Sequence, residues 1–136
     1  MSYGMTAALQ TAVYGRLSAD AGLAAIVGGN VFDALPEGPP PSLYVTLGPE
    51  KARDRSDGSF GGAEHDFSIA VTSSVAGFYQ AKQAAAAISD ALLGAPLTLA
   101  RGRVGRVQFL RAQAARAGSD RRIEIWFRAR LDEDDS

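Results

Sequence analysis

The sequence predicts an α+β domain in which an antiparallel sheet carries two helices packed on one face and a long-tipped β-hairpin. Three observations predict it. Two stretches, Thr6 to Leu17 and Gly77 to Leu93, repeat apolar residues at helical spacing; two others, around Leu43 to Leu47 and Arg121 to Leu131, alternate apolar and polar; and Gly and Pro clusters separate them. With 136 residues the chain is read as a single domain, 1–136, large enough for one core.

In the first helix Met5, Leu9, Val13 and Leu17 stand four residues apart with Ala8 and Ala12 beside them, which makes one buried stripe. Ser18 and Asp20 are capping residues for a short second turn holding Leu23, Ile26 and Val27, and Gly28-Gly29 stops it. Val31 to Leu35 is a short extended run closed by Pro36 and the Gly38-Pro39-Pro40-Pro41 stretch, because proline removes ladder donors and fixes an extended backbone. Leu43, Val45 and Leu47 alternate with Tyr44 and Thr46, so a strand is expected that ends at Gly48-Pro49.

Residues 50–63 are polar and glycine-rich without a period, and they are expected to form a flexible hairpin tip joining that strand to a second one, His65 to Ser73. The second helix places Ala81, Ala85, Ile88 and Leu92 on one face, ending at Gly94 and Pro96. From Arg103 to Ala114 the alternation slips, with Val107 and Phe109 on one side and Leu110, Ala112 and Ala114 on the other, the signature of a bulge. The last strand puts Ile123, Ile125, Phe127, Ala129 and Leu131 on the core side and Arg122, Glu124, Trp126, Arg128 and Arg130 on the polar side. Gly118-Ser119-Asp120 makes these two strands a hairpin.

Composition narrows the chemistry. There is no cysteine, which excludes disulfides, thiolate metal ligands and a cysteine nucleophile. The N-terminus has neither a basic region leading into an apolar run nor, anywhere, the roughly 20 apolar residues that span a bilayer, so no membrane association is expected. Net charge is −1, but arginines crowd residues 101–130 and acids occupy the C-terminal tip, 132–136. The single histidine, His65, lies between Glu64 and Asp66 and reads as a solvated or hydrogen-bonded residue at a loop edge. Ser, His and Asp are all present, but nothing such as Gly-x-Ser-x-Gly supports a triad. The terminal acids lack the fixed geometry of a metal site, and Gly28-Gly29-Asn30 and Gly58 to Gly62 resemble no phosphate-binding loop. No catalytic residue, metal or cofactor is therefore expected, and the chain is not read as an enzyme.

What remains is an interaction surface. A tryptophan set among arginines has the composition of interface hot spots, which nominates Arg122, Glu124, Trp126, Arg128 and Arg130, together with Arg53, Arg55 and Phe60 of the hairpin tip.

The ordered series from Ala8-Leu9-Gln10 through Val13-Tyr14-Gly15-Arg16-Leu17-Ser18-Ala19-Asp20, Val27-Gly28-Gly29, Val31 to Gly38 and Tyr44-Val45-Thr46-Leu47-Gly48, continuing in Gly62-Ala63-Glu64-His65 and Leu97-Thr98-Leu99, resembles the tail-completion or tail-terminator proteins of long-tailed phages and gene transfer agents. The resemblance implies a structural virion protein, made in the bacterial cytoplasm and placed at the head-proximal end of the tail. There a hexameric ring of copies stops tube polymerisation and joins the tail tube protein to the head connector, while DNA passes through the channel without specific binding. Three alternatives stand beside it: a head-closure or connector adaptor, a small nucleic-acid module using the C-terminal arginines, and a small enzyme using His65 with Glu64 or Asp66.

Overall fold

The computed structural model describes residues 4–54 and 62–132. The elements run α1 (Thr6–Ala19), α2 (Ala21–Val27), β1 (Val31–Phe32), β2 (Leu43–Asp54), β3 (Gly62–Ser73), α3 (Tyr79–Leu93), β4 (Arg103–Ala117) and β5 (Asp120–Asp132). The five strands form one sheet in the order β1-β2-β3-β5-β4.

The fold is α+β, with two departures from expectation. The sheet is mixed, since β1 pairs with β2 in parallel through Val31 opposite Val45 and Phe32 opposite Thr46. The ten-residue connection 33–42 carries the chain back far enough for parallel pairing, for which a two-residue hairpin turn is too short. The second turn after α1 is also a helix in its own right: the Asp20 carboxylate accepts from the Leu23 amide at 2.8 Å, and Gly28, at φ +65°, ends the helix.

Core side chains come from the stripes the periodicity marks. Leu9, Val13 and Leu17 of α1, Leu23 and Val27 of α2, and Ala81, Ala84, Ile88 and Leu92 of α3 form one cluster with Val45, Ile69, Val71, Ile123, Ile125, Phe127, Ala129 and Leu131 of the sheet. Across the core face of the sheet Phe67 stacks on Phe127 at 5.6 Å between ring centroids, and Phe109 meets the same ring edge-on at 6.3 Å. Arg16 secures α1 to the end of α3, donating to the carbonyls of Ala91, Ala95 and Pro96 at 2.9, 3.1 and 2.8 Å. These are carbonyls at and beyond the helix end, where intrahelical donors run out.

The expected strand ends are too short and the expected tip too long. β2 continues to Asp54 and β3 begins at Gly62, with Lys51 opposite Asp66, Ala52 opposite His65 and Arg53 opposite Glu64. Polar composition suggested a loop at 50–63, but one face of this part of the sheet is open to water and tolerates charged side chains in a paired strand. The remainder of the tip, 55–61, lies outside the described residues, as do 133–136 of the acidic C-terminal tip.

Irregularities sit where the pattern slips. In β2 the register shifts between Leu47 and Glu50, and in β4 between Val104 and Val107 and again between Phe109 and Arg111. The first β4 bulge lets Val104 and Val107 both take positions opposite core residues, Leu131 and Ala129. The second, at Leu110, moves Arg111 opposite Trp126. The β4–β5 turn has Gly118 at φ +64° followed by Ser119, the glycine-first arrangement of a type II′ hairpin.

Candidate assembly interface

Strand alternation decides where the nominated residues lie. On β5, residues 122, 124, 126, 128 and 130 point away from the core face, and the register extends each position across the sheet into a row. Arg53, Glu64 and Arg130 form one row; Lys51, Asp66, Arg128 and Gln108 the next; then Ser68, Trp126 and Arg111; then Thr46, Ala70, Glu124 and Gln113; then Tyr44, Thr72, Arg122 and Ala115. The structure thus brings Arg53, Arg122, Glu124, Trp126, Arg128 and Arg130 onto one face. Arg55 and Phe60 lie outside the described residues.

Charges on this face are largely consumed within it. Arg128 grips Asp66 with two donors, Nε to Oδ1 at 2.8 Å and Nη2 to Oδ2 at 3.0 Å, and lies 3.5 Å from Glu64. Arg53 donates to Glu64 at 2.9 Å and stands 3.6 Å from Asp66. The hydrogen bond from Arg128 holds the Asp66 carboxyl below its usual range, helped by the charges of Arg128, Arg53 and Lys51 and opposed by burial. The same bond pushes the Arg128 guanidinium further up.

Trp126 differs from expectation. It is only 7% exposed, with the Arg111 guanidinium 5.2 Å from its ring and its indole Nε1 donating to Glu124 at 2.8 Å. Alternation assigns a face but not what lies over it; the Leu110 bulge supplies the cover by placing Arg111 there. Arg122, 3.8 Å from Glu124, continues the chain of charges.

His65 departs further. It is fully buried on the core face, in a row with Ala52, Ala129 and Val107, and not at a loop edge. Burial holds its pKa down, against the opposing charges of Glu50 and Asp66. Glu64 and Asp66, its sequence neighbours, point to the opposite face of the sheet, so the three do not assemble into the acid–base unit that adjacency suggests. Among the described residues no group of three or more His, Asp or Glu side chains is placed to hold a metal ion, and no helix is long and apolar enough to cross a membrane.

Two further surface features stand at the edges of the sheet. Residues 33–40, between β1 and β2, are all exposed, with Leu35 at 45%. At the other edge of the sheet, Leu92, Leu93, Pro96, Val104 and Val107 line an apolar groove of about 380 Å³. The proline run signalled the first; nothing in the sequence signalled the second, because it depends on how α3 meets the β4 bulge.

A helix-backed sheet with a charged outer face and exposed apolar residues at both edges offers surfaces suited to assembly. The chain belongs to the tail completion protein gp17 family, which it matches over residues 11–132. It is a structural protein of phage-type tails. A solved chain from the virion of a native gene transfer agent particle superimposes with a TM-score of 0.91 at 54% identity, over 96% of this chain and 99% of that one. No curated protein matches.

Proposed function

We propose that the protein forms a ring at the head-proximal end of a tail tube, stops tube polymerisation there and joins the tube to the head connector. The observation that carries this reading is the match to the tail completion family over residues 11–132, joined to the 54% identity with a chain of a gene transfer agent virion. That likeness supports a component of a particle of the same kind; in the proposed reading its copies form a hexamer and DNA traverses the ring without sequence-specific contact. A closed ring requires heterologous contacts, one patch of each copy meeting a different patch of the next. The outer sheet face bearing Arg53, Arg122, Glu124, Arg128 and Arg130, with Trp126 beneath Arg111, contributes to contacts with neighbours.

Light scattering coupled to size exclusion, over a concentration series of the protein alone and mixed with tail tube protein, tests the reading. A species of about ring mass, alone or with tube protein, supports it. A strict monomer indifferent to tube protein overturns it in favour of an adaptor role.

A further inference from the structure

The two exposed features at opposite edges of the sheet are complementary. Asp33-Ala34-Leu35-Pro36-Glu37 leaves the β1 edge with every residue exposed, and it carries two acids around an apolar centre. The β4 edge offers the apolar groove between the end of α3 and the Gly105-Arg106 bulge. On the far side of the same bulge lies a second concavity, lined by Arg103, Arg106, Arg128 and Arg130 against Glu64 and Asp132. Val104, Gly105 and Arg106 line both, so one short piece of strand edge has an apolar recess on one side and a predominantly basic one on the other.

We infer that the proline-rich arm of one copy docks on the β4 edge of the next, with Leu35 in the apolar groove and Asp33 and Glu37 against the arginines beside it. This rests on the ring reading and names the contact that links its copies. Charge has the right sign on both partners. Asp33 and Glu37 each stand two residues from Leu35, about 7 Å along an extended chain, within reach of arginine side chains at the rim. Pro36, Pro39, Pro40 and Pro41 limit the freedom the arm loses on docking, which lowers the entropic cost of association. The missing amide of Pro36 makes this side-chain docking rather than addition of a strand. Arm and groove lie at opposite edges, so the contact is heterologous: it propagates from copy to copy and leaves one arm and one groove unfilled at the chain ends until a ring closes.

The absence of native cysteine gives a direct test. Within one copy the two edges are separated by four inter-strand spacings, about 19 Å, too far for a disulfide, which needs Cα atoms about 4–7 Å apart. The double variant Leu35→Cys/Leu93→Cys, oxidised across the concentration series with and without tail tube protein, is expected to give a covalent ladder of multimers. The control pair Leu35→Cys/Tyr14→Cys, with its second thiol on the exposed side of α1, is expected to give none. In parallel, Arg106→Glu should raise the concentration at which copies assemble about tenfold, and Glu37→Arg added to it should restore most of the loss. Rings of normal mass with no Leu35–Leu93 ladder and no response to Arg106→Glu overturn the docking while leaving the ring intact. A ladder that extends without closing upholds the docking and overturns ring closure. A chain monomeric under every condition overturns both.

Discussion

Gly48 and Ser68 form a pair whose coupling changes the sign of a mutation. Gly48 stands in the β2 bulge, and a Cβ built there lies 2.5 Å from Ser68 Oγ, closer than a real Cβ contact allows; the next neighbours, Ser68 O and Ser68 Cβ, lie at an ordinary 3.5 and 3.6 Å. Ser68 is buried, and its hydroxyl donates to the Pro49 carbonyl at 2.8 Å, tying the bulge to β3. Gly48→Ala therefore forces the hydroxyl out of its bond, which costs about 0.5–1.5 kcal/mol, with more if the Pro49 carbonyl finds no other donor. Alanine also restricts the unfolded chain, a gain of about 0.4–1 kcal/mol where the backbone accepts it, and Gly48 is not among the positive-φ glycines. In the native background the two effects at mid-range leave a net loss of a few tenths of a kcal/mol, rising to about 1 kcal/mol and beyond if the Pro49 carbonyl stays unpaired or neighbouring backbone must shift. Ser68→Ala alone costs about 1 kcal/mol. In that background the clash is gone and Gly48→Ala becomes neutral or stabilising by up to about 1 kcal/mol. Urea unfolding of the two single variants and the double variant closes the cycle, with a coupling of about 1 kcal/mol or more expected. Strictly additive losses would show that the bulge does not depend on the serine hydroxyl, and the steric reasoning fails.

Other expectations follow from single contacts. Arg16→Ala removes three donors from carbonyls at the end of α3 and should cost about 1–3 kcal/mol in urea unfolding, with Arg16→Lys recovering part of it; no change in midpoint would mean water replaces the guanidinium freely. Phe127→Ala, which removes the ring shared by Phe67 and Phe109, should cost about 3–5 kcal/mol or abolish folding, seen as a lowered thermal midpoint. Because the folded pKa of His65 is depressed, the unfolded chain binds its proton more readily. Stability is then full above the ordinary histidine value and falls as pH drops through that value toward the folded one, so His65→Gln should flatten the pH slope in that window. Asp66 is also depressed: its contribution is present above the ordinary aspartate value and disappears as pH falls through the folded pKa, and Asp66→Asn should remove that part of the acid limb. An unchanged acid limb in Asp66→Asn would mean the Arg128 pair adds nothing to stability.

Residues whose role depends on spacing alone were legible in the sequence. The α1 stripe, the alternation of β5, the Asp20 cap and the Gly118 turn all express local geometry, and all appear where expected. The slip in β4 was legible as a bulge, though not that it occurs twice. What escaped reading depends on partners far along the chain. Arg16 meets carbonyls 75 to 80 residues away, which no local pattern encodes. The parallel pairing of β1 rests on Val45 donating to the Asn30 carbonyl at 2.8 Å across the proline-rich connection. Residues 50–54 looked like loop because their composition is polar, yet the solvent-facing side of a hairpin asks for that composition. For the candidate surface, period-two alternation placed Arg122, Glu124, Trp126, Arg128 and Arg130 on one face of β5, whereas Arg53, expected in the hairpin tip, joins that face through the extension of β2; Arg55 and Phe60 lie outside the described residues. The depth of Trp126 could not be read, since its cover comes from the neighbouring strand.

The internal pairing of the outer face bears on what that face can contribute to assembly. Arg128 is committed to Asp66, Arg53 to Glu64, and Trp126 to Glu124 and Arg111. A partner that takes one of these arginines must compete with a carboxylate already in place, held for Arg128 by a part-buried two-donor pair. Such a face is suited to selecting orientation and excluding wrong partners more than to supplying affinity. Affinity needs apolar surface that water still covers; part of it lies at the margins of the sheet, in Leu35 beside β1, Leu93 at the end of α3 and Phe109 on edge strand β4, and Tyr14, Val75 and Tyr79 are exposed elsewhere. Burying roughly 100 Å² of such surface is worth about 2.5 kcal/mol before the costs of association. A subunit built this way resists binding through its charged face when alone and gains most when its two edges are satisfied together, the condition that a closed chain of copies meets and an isolated pair does not.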